Sequence, residues 1–147
     1  KNIMDVLEVR ASLDGLATSL AAERITDEEI KSLGQILSQF KSYAEKDNLQ
    51  GTIKKDVEFH DLIYSASRND KLIQIACKLR EQIQRFRVIY LKDYSSHEVL
   101  IKEHQDIYDA ISKRDGEQAR IFAQKHIKKQ EENIIKALKK INGKETK

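Results

Sequence analysis

Asp56 and His60 are four residues apart in a stretch that otherwise has the pattern of an amphipathic helix. Four residues make about one helical turn, so the carboxylate and the imidazole lie on the same face. Phe59 and Ile63 stand beside them, which indicates that this face points towards an apolar core. A carboxylate in such a place is costly unless it is paired or binds a cation. The pair therefore indicates a candidate metal site.

Two further histidines have a similar setting. His104 stands between Leu100 and Ile107, at helical spacings of four and three, and His126 follows Phe122 by four residues. Neutral imidazoles and one carboxylate suit a divalent cation, and helical bundles build such sites from facing side chains. A single histidine on an apolar face is more often a packed core residue. The pattern alone therefore leaves both interpretations open.

Residues that break helices are scarce in this chain. It contains no Pro and only 5 Gly among 147 residues. This scarcity favours an all-α fold, because sheets and long loops need more turn residues. Capping residues and polar breaks predict six helices, near residues 3–24, 27–46, 52–68, 70–91, 96–113 and 116–141. Helices joined by such short breaks usually pack antiparallel to their neighbours, as in a bundle.

Local signals predict how these helices begin and which faces they bury. Thr26 and Glu29 form a capping-box pattern at the start of the second helix. Asn69 or Asp70 is suited to cap the fourth helix, and Asp115 the last. Apolar spacing predicts that one stripe of the first helix faces the core, made of Val6, Val9, Leu13, Leu16 and Leu20.

Composition and charge exclude several classes of protein. The length of 147 residues fits one domain, and no apolar run approaches the ~18 residues of a membrane span. Cys77 is the only cysteine, which excludes an intrachain disulfide and favours a reducing, cytoplasmic location. The net charge of +3 is spread over mixed faces, without the clustering typical of a nucleic-acid surface. The first residue is Lys1, which predicts a fragment of a longer protein.

Four segments carry a wider pattern: VRASLDGLATSLAAERIT, DVEFHDLIYSASRND, KEHQDIYDAISKRDGEQA and the KH of residues 125–126. The pattern is an Arg and an acid, then D-x-x-x-H, then E-H with A-I and an acid, and a late His. The matching residues are Arg10, Asp14, Asp56, His60, Glu103, His104, Ala110, Ile111, Asp115 and His126. In this order, over nearly the whole chain, the sequence resembles the ligand-sensing FCD domain of FadR-type regulators in the GntR superfamily.

This resemblance implies a fold and a site. The fold is an all-α, antiparallel bundle of about six to seven helices around a central metal and ligand cavity, with residues 1–147 as a single domain. The metal is a divalent ion, with zinc expected first and nickel or manganese as alternatives. Its implied ligands are Asp56, His60, His104 and His126. The implied effector is a small carboxylate bound by Arg10, Arg87 and Asn69, although capping also explains Asn69.

The resemblance also implies partners. Such domains usually form homodimers and follow an N-terminal winged-helix domain that binds DNA, which is absent from this chain. The function expected is therefore the effector-sensing part of a transcriptional regulator, in which a bound carboxylate controls DNA binding allosterically. No partnership with a membrane is expected.

Two other functions compete with this interpretation. A metal-dependent hydrolase or lyase with an Asp/His₃ site would need a general base near the metal. The sequence has no H-E-x-x-H motif, and Glu103 points about 100° away from His104 around the helix, so we expect no enzyme. A purely structural helical module is the third interpretation. Such a module would tolerate loss of Asp56, whereas a metal site would lose affinity and stability together.

Overall fold

The computed structural model describes the backbone of residues 2–92 and 97–145, and the side chains of residues 3–84, 86 and 97–142. Within these residues the chain forms six α-helices and no strand. They are α1 (Asn2–Arg24), α2 (Asp27–Glu45), α3 (Leu49–Ala66), α4 (Asp70–Lys92), α5 (His97–Ser112) and α6 (Gly116–Glu145). The predicted all-α fold class is confirmed.

The predicted caps of three helices are present. Thr26 Oγ1 accepts a hydrogen bond from the Glu29 amide at 3.1 Å, and the Thr26 amide donates to the Glu29 carboxylate at 3.0 Å. Asn69 Oδ1 accepts from the Leu72 amide at 3.0 Å, so Asn69 is the residue that caps α4. Asp115 accepts from an amide in the first turn of α6 at 3.1 Å. These bonds satisfy amide donors that have no partner inside the helix.

The start of α3 differs from the prediction. Asn48 Oδ1 accepts from the Gly51 amide at 3.0 Å, so the helix begins at Leu49 rather than near residue 52. The polar residues 47–51 were assigned to a break because Asn, Asp and Gly are typical turn residues. Asn is also a strong N-cap, and here the capping role determines the boundary.

Helices α1 and α6 pack closely and run antiparallel. Gly15 lies against Gln124, and Arg10, further towards the start of α1, lies against Gln130, further along α6. A Cβ at Gly15 would lie only 2.8 Å from Gln124 Nε2, so the absence of a side chain permits this approach. Helix α1 also contacts α3, α4 and α5, which places its inner face in the middle of the bundle.

The predicted buried stripe of α1 is wrong. Val9 is 49% exposed and Leu16 is 45% exposed, while the other three members of that stripe are only partly buried. The prediction followed apolar residues, but α1 has apolar side chains on both faces and its inner face includes polar groups. The buried residues of the inner face are Ile3, Leu7, Arg10, Asp14, Ala17, Thr18, Ala21 and Ala22. The burial of Arg10 and Asp14 is therefore the informative feature of this helix.

The hydrophobic core surrounds one of the histidines. Phe40 of α2 and Phe59 of α3 are fully buried, with ring centroids 4.2 Å and 5.0 Å from that of His104. This packing holds the imidazole plane in one orientation, which a ligand to a metal requires. None of the helices in the described ranges combines the length and apolarity needed to cross a membrane.

Candidate metal centre

The four predicted metal ligands converge on one place in the bundle. Helix α3 supplies Asp56 and His60, α5 supplies His104 and α6 supplies His126, and their nearest ligand atoms all lie within 4.8 Å of one another. Asp56 and His104 have no solvent exposure, His126 is 1% exposed, and the His60 side chain is 12% exposed. One carboxylate and three imidazoles in this space are a donor set that zinc accepts.

The hydrogen bonds of His104 test whether a cation fits. Its Nδ1 lies 2.9 Å from the carbonyl oxygen of Leu100, which can only accept, so Nδ1 carries the proton. In the neutral ring, Nε2 then directs a lone pair at Asp56 Oδ1, 2.8 Å away. Two lone pairs facing each other repel unless a proton or a metal ion lies between them. A cation bound to both atoms would remove this repulsion, and the two atoms would then move further apart than 2.8 Å.

His60 supplies a second sign of the same kind. Its Nε2 lies 3.2 Å from Asp56 Oδ1, in a geometry that makes no hydrogen bond, and the atom is buried. A buried nitrogen that makes no hydrogen bond is costly, and such atoms are rare in native proteins unless they serve a function. Coordination of a cation would satisfy this atom, so His60 also fits a metal centre.

His126 is held by carboxylate and amide partners outside the ligand set. Its Nδ1 donates to Glu103 Oε1 at 2.5 Å, which leaves the Nε2 lone pair directed inwards. A carboxylate on the second nitrogen is the usual orienting partner of a metal-binding histidine. No local sequence pattern indicated this contact, because Glu103 turns away from His104 on α5 and meets a side chain of α6.

The charge states of two ligands suit metal binding. Burial lowers the pKa of His126 to about 4, assisted by the nearby His104 and His60 and opposed by Glu103, so His126 is neutral near pH 7. Burial by itself would raise the pKa of Asp56, but His60 and His104 together hold it well below its usual range. Asp56 is therefore ionised. Neutral His126 and anionic Asp56 are the forms that bind a cation.

The lowered pKa of His126 predicts acid sensitivity of the chelator-treated chain. Between about pH 6.5 and pH 4, His126 takes up a proton in the unfolded chain but not in the folded chain. The free energy of unfolding should therefore fall with falling pH, by roughly 3 kcal/mol across this window. Urea unfolding at intervals from pH 7 to pH 4 measures this change.

Replacing His126 by Gln should remove that part of the pH dependence. The exposed His97, which pairs with Asp47 at the surface, provides the matched control His97→Gln and should leave the dependence in place. Equal pH dependence in His126→Gln and the unchanged chain would contradict the assignment of the effect to His126.

A small cavity opens beside His60, between α1, α3 and α4. Its volume is about 30 Å³, enough for about one water molecule. Arg10 and Asp14 line it from α1, with Arg10 Nε 3.5 Å from Asp14 Oδ2. Tyr64 donates its hydroxyl to Asp14, and burial raises the pKa of Tyr64, so the phenol keeps its proton. The remaining lining residues are Asp61, Ala76, Leu79, Arg80 and Ile83.

The predicted effector residues fall into three different situations. Arg10 is 7% exposed and lines the cavity, as a carboxylate-binding residue must. Asn69 caps α4 and is not among the residues that line the cavity. The side chain of Arg87 lies outside the described residues. Arg80, which no sequence signal separated from an ordinary surface arginine, lines the cavity and pairs with Asp61.

Comparison with known proteins defines the family. A family model of the FCD domain matches residues 5–129. The chain belongs to the FCD domain family. This family is the one that the arginine, acid and histidine pattern predicted, and the domain is a component of GntR-type transcriptional regulators. The match includes the candidate ligands on α3, α5 and α6 and the buried arginine of α1.

Several curated relatives of this FCD domain are transcriptional regulators. The chain is 28% identical to the Nta operon transcriptional regulator of Aminobacter aminovorans, over 93% of the chain and 63% of the relative. It is 30% identical to the regulator LutR of Bacillus subtilis, over 86% of the chain and 59% of the relative. It is 25% identical to the repressor RspR of Escherichia coli, over 86% of the chain and 55% of the relative. The chain thus spans little more than half the length of these relatives.

Two solved structures share the fold. The E. coli protein McbR/YncC matches with a TM-score of 0.77 and 20% identity, over 95% of this chain and 65% of that one. A GntR protein of Streptococcus agalactiae matches with a TM-score of 0.71 and 20% identity, over 85% of this chain and 56% of that one. The curated relatives are named as transcriptional regulators, which agrees with the prediction that this FCD domain is not an enzyme.

Proposed function

We propose that residues 1–147 form the effector-sensing and dimerisation domain of a GntR-type transcriptional regulator, and that a divalent cation and a small carboxylate bind inside it. The observation that carries the proposal is the buried ligand set, in which Asp56 meets three histidines from three helices. Zinc is the first expectation, with nickel or manganese as alternatives, because the donor set alone does not separate these ions.

The cavity beside His60 supports a carboxylate as the effector. A bound cation would supply a Lewis-acid position for one carboxylate oxygen. Arg10 and Arg80 on the cavity wall offer planar donors for the same group. In the present structure Asp14 and Asp61 pair with these arginines, so the protein's own carboxylates satisfy the donors until an effector replaces them.

The size of the cavity supports a conformational response. A volume of about 30 Å³ is too small for an organic acid, so the wall must move when one enters. Helix α4 supplies Ala76, Leu79 and Ile83 to that wall and carries Arg80 and Arg87, so its displacement is the simplest response. We assign Arg87 of α4 and Asn69, which caps the start of α4, to effector binding as further candidates. By linkage, if the effector changes the affinity of the regulator for DNA by some factor, then bound DNA changes the affinity for the effector by the same factor.

The remaining partners follow from the family. In this proposal a DNA-binding domain precedes the chain in a cytoplasmic regulator, and two copies pair. Val9 and Leu16 on α1 and Ile121 on α6 support pairing, because they are exposed apolar side chains on two adjacent helices.

A thermal shift experiment tests the proposed function. The zinc-loaded chain and a chelator-treated sample are melted with and without a panel of small mono- and dicarboxylates. At least one acid should raise the melting temperature of the zinc-loaded chain and leave the chelator-treated chain nearly unchanged. Equal responses in both samples, or no response from any acid, would count against a metal-dependent carboxylate sensor.

A further inference from the structure

A chain of three hydrogen bonds connects Arg10, on the cavity wall, to Glu103 through His126 of the candidate metal centre. Arg10 Nη1 of α1 donates to Gln130 Oε1 of α6 at 3.2 Å. Gln130 Nε2 lies 3.0 Å from His126 Nε2, and His126 Nδ1 lies 2.5 Å from Glu103 Oε1 of α5. The chain therefore joins α1, α6 and α5 through a glutamine with no solvent exposure.

The direction of every bond in this chain is fixed by its two ends. A guanidinium only donates, so the oxygen of the Gln130 amide faces Arg10 and the NH₂ group faces His126. A carboxylate only accepts, so the proton of His126 is on Nδ1, towards Glu103. The lone pair on His126 Nε2 consequently accepts a hydrogen bond from Gln130.

That lone pair has two competing uses. His126 belongs to the convergent ligand set, and its Nε2 is the atom left to coordinate, because Nδ1 donates to Glu103. One lone pair cannot accept from Gln130 and bind a cation together. When His126 acts as a ligand, the amide of Gln130 must give up this bond, and a buried donor without an acceptor is costly.

We propose that Gln130 couples metal occupancy to carboxylate binding. The inference rests on the function proposed above. Arg10 keeps hold of Gln130 Oε1, so the released NH₂ group stays close to His126 and beside an arginine of the cavity wall. Gln130 itself does not line the cavity, so a carboxylate bound by Arg10 meets this NH₂ group only after the wall has moved, and then supplies the acceptor that the group lacks. Gln130 is thus a positioning residue that offers a donor to the effector only after the metal ligands are engaged.

Gln130→Met tests this role because it removes both hydrogen bonds and nearly preserves side-chain size. Zinc affinity, measured by competition with a chelator, should rise roughly fivefold, since His126 no longer gives up a hydrogen bond to coordinate. Acetate affinity, measured from melting temperatures of the zinc-loaded chain, should fall roughly tenfold. A merely structural role would weaken both affinities, so the opposite signs are the decisive feature.

Asn133→Met is the matched control. Asn133 is a buried amide further along α6, 4% exposed, and its Nδ2 makes no hydrogen bond. Both affinities should be unchanged in this variant.

If the unchanged chain binds zinc and acetate but Gln130→Met lowers both affinities or leaves both unaltered, the coupling is refuted and the sensor function stands. If the unchanged chain binds no zinc, the sensor function and the coupling both fail.

Discussion

Replacing Asp56 by asparagine is expected to lower zinc affinity by roughly a hundredfold or more. Structural zinc sites with four ligands bind with about 10–16 kcal/mol, so one ligand accounts for roughly 3 kcal/mol. Asp56 is also the only carboxylate of the buried set and lies within hydrogen-bonding distance of His104. Chelator competition monitored with a zinc-sensitive dye measures the loss.

The asparagine variant removes the charge of Asp56 without disturbing the fold. Asn preserves the side-chain shape, and its amide can donate to His104 Nε2, so the chelator-treated variant should remain folded. Asp106→Asn on α5 is the matched control, because Asp106 pairs with Lys102 at 3.0 Å on the outer surface. The control should bind zinc as the unchanged chain does. Equal zinc affinities of Asp56→Asn and Asp106→Asn would favour a structural helical module over a metal sensor.

Replacing Arg10 by lysine is expected to lower the carboxylate affinity of the zinc-loaded chain by roughly 10- to 100-fold. Lysine keeps the positive charge but loses the planar fork that can hold a carboxylate through two hydrogen bonds. A hydrogen bond to a charged group contributes about 1.5–3 kcal/mol, which corresponds to this range. Thermal shift titration with the most stabilising acid of the panel measures the change.

Zinc affinity shows whether Arg10→Lys affects the effector site alone or the metal centre as well. Arg10 is absent from the convergent ligand set, so Arg10→Lys should retain zinc affinity while it loses the carboxylate. Arg24→Lys is the matched control on the same helix, because Arg24 donates to the Ser67 carbonyl at 2.7 Å and does not line the cavity. An Arg10→Lys variant that binds the acid as tightly as Arg24→Lys would remove Arg10 from the effector site.

Sequence reasoning succeeded where the signals are local. The capping box of Thr26 and Glu29 and the cap at Asn69 depend on residues three apart in one chain segment, and both are present. The i, i+4 spacing of Asp56 and His60 likewise places both on one face of α3 without knowledge of the fold. These signals located half of the candidate metal centre.

Sequence reasoning failed where contacts join different helices. The pairing of Glu103 with His126 and of Gln130 with Arg10 depends on the rotation of α5, α6 and α1, which no local pattern specifies. The buried face of α1 was mistaken for a related reason. Its inner face includes Arg10, which hydrophobic patterning assigns to solvent. Polar residues inside a core are expected at functional sites, and here they caused the wrong prediction.

Elemental analysis of the purified chain tests the central claim most directly. The chain and its Asp56→Asn variant are purified side by side without chelator, dialysed against metal-free buffer and analysed by mass spectrometry for zinc, nickel and manganese. We predict about one divalent ion per unchanged chain and almost none in the variant, as expected of a site that needs its carboxylate ligand. Equal metal content in the two proteins, or none in either, would contradict a metal centre formed by Asp56, His60, His104 and His126.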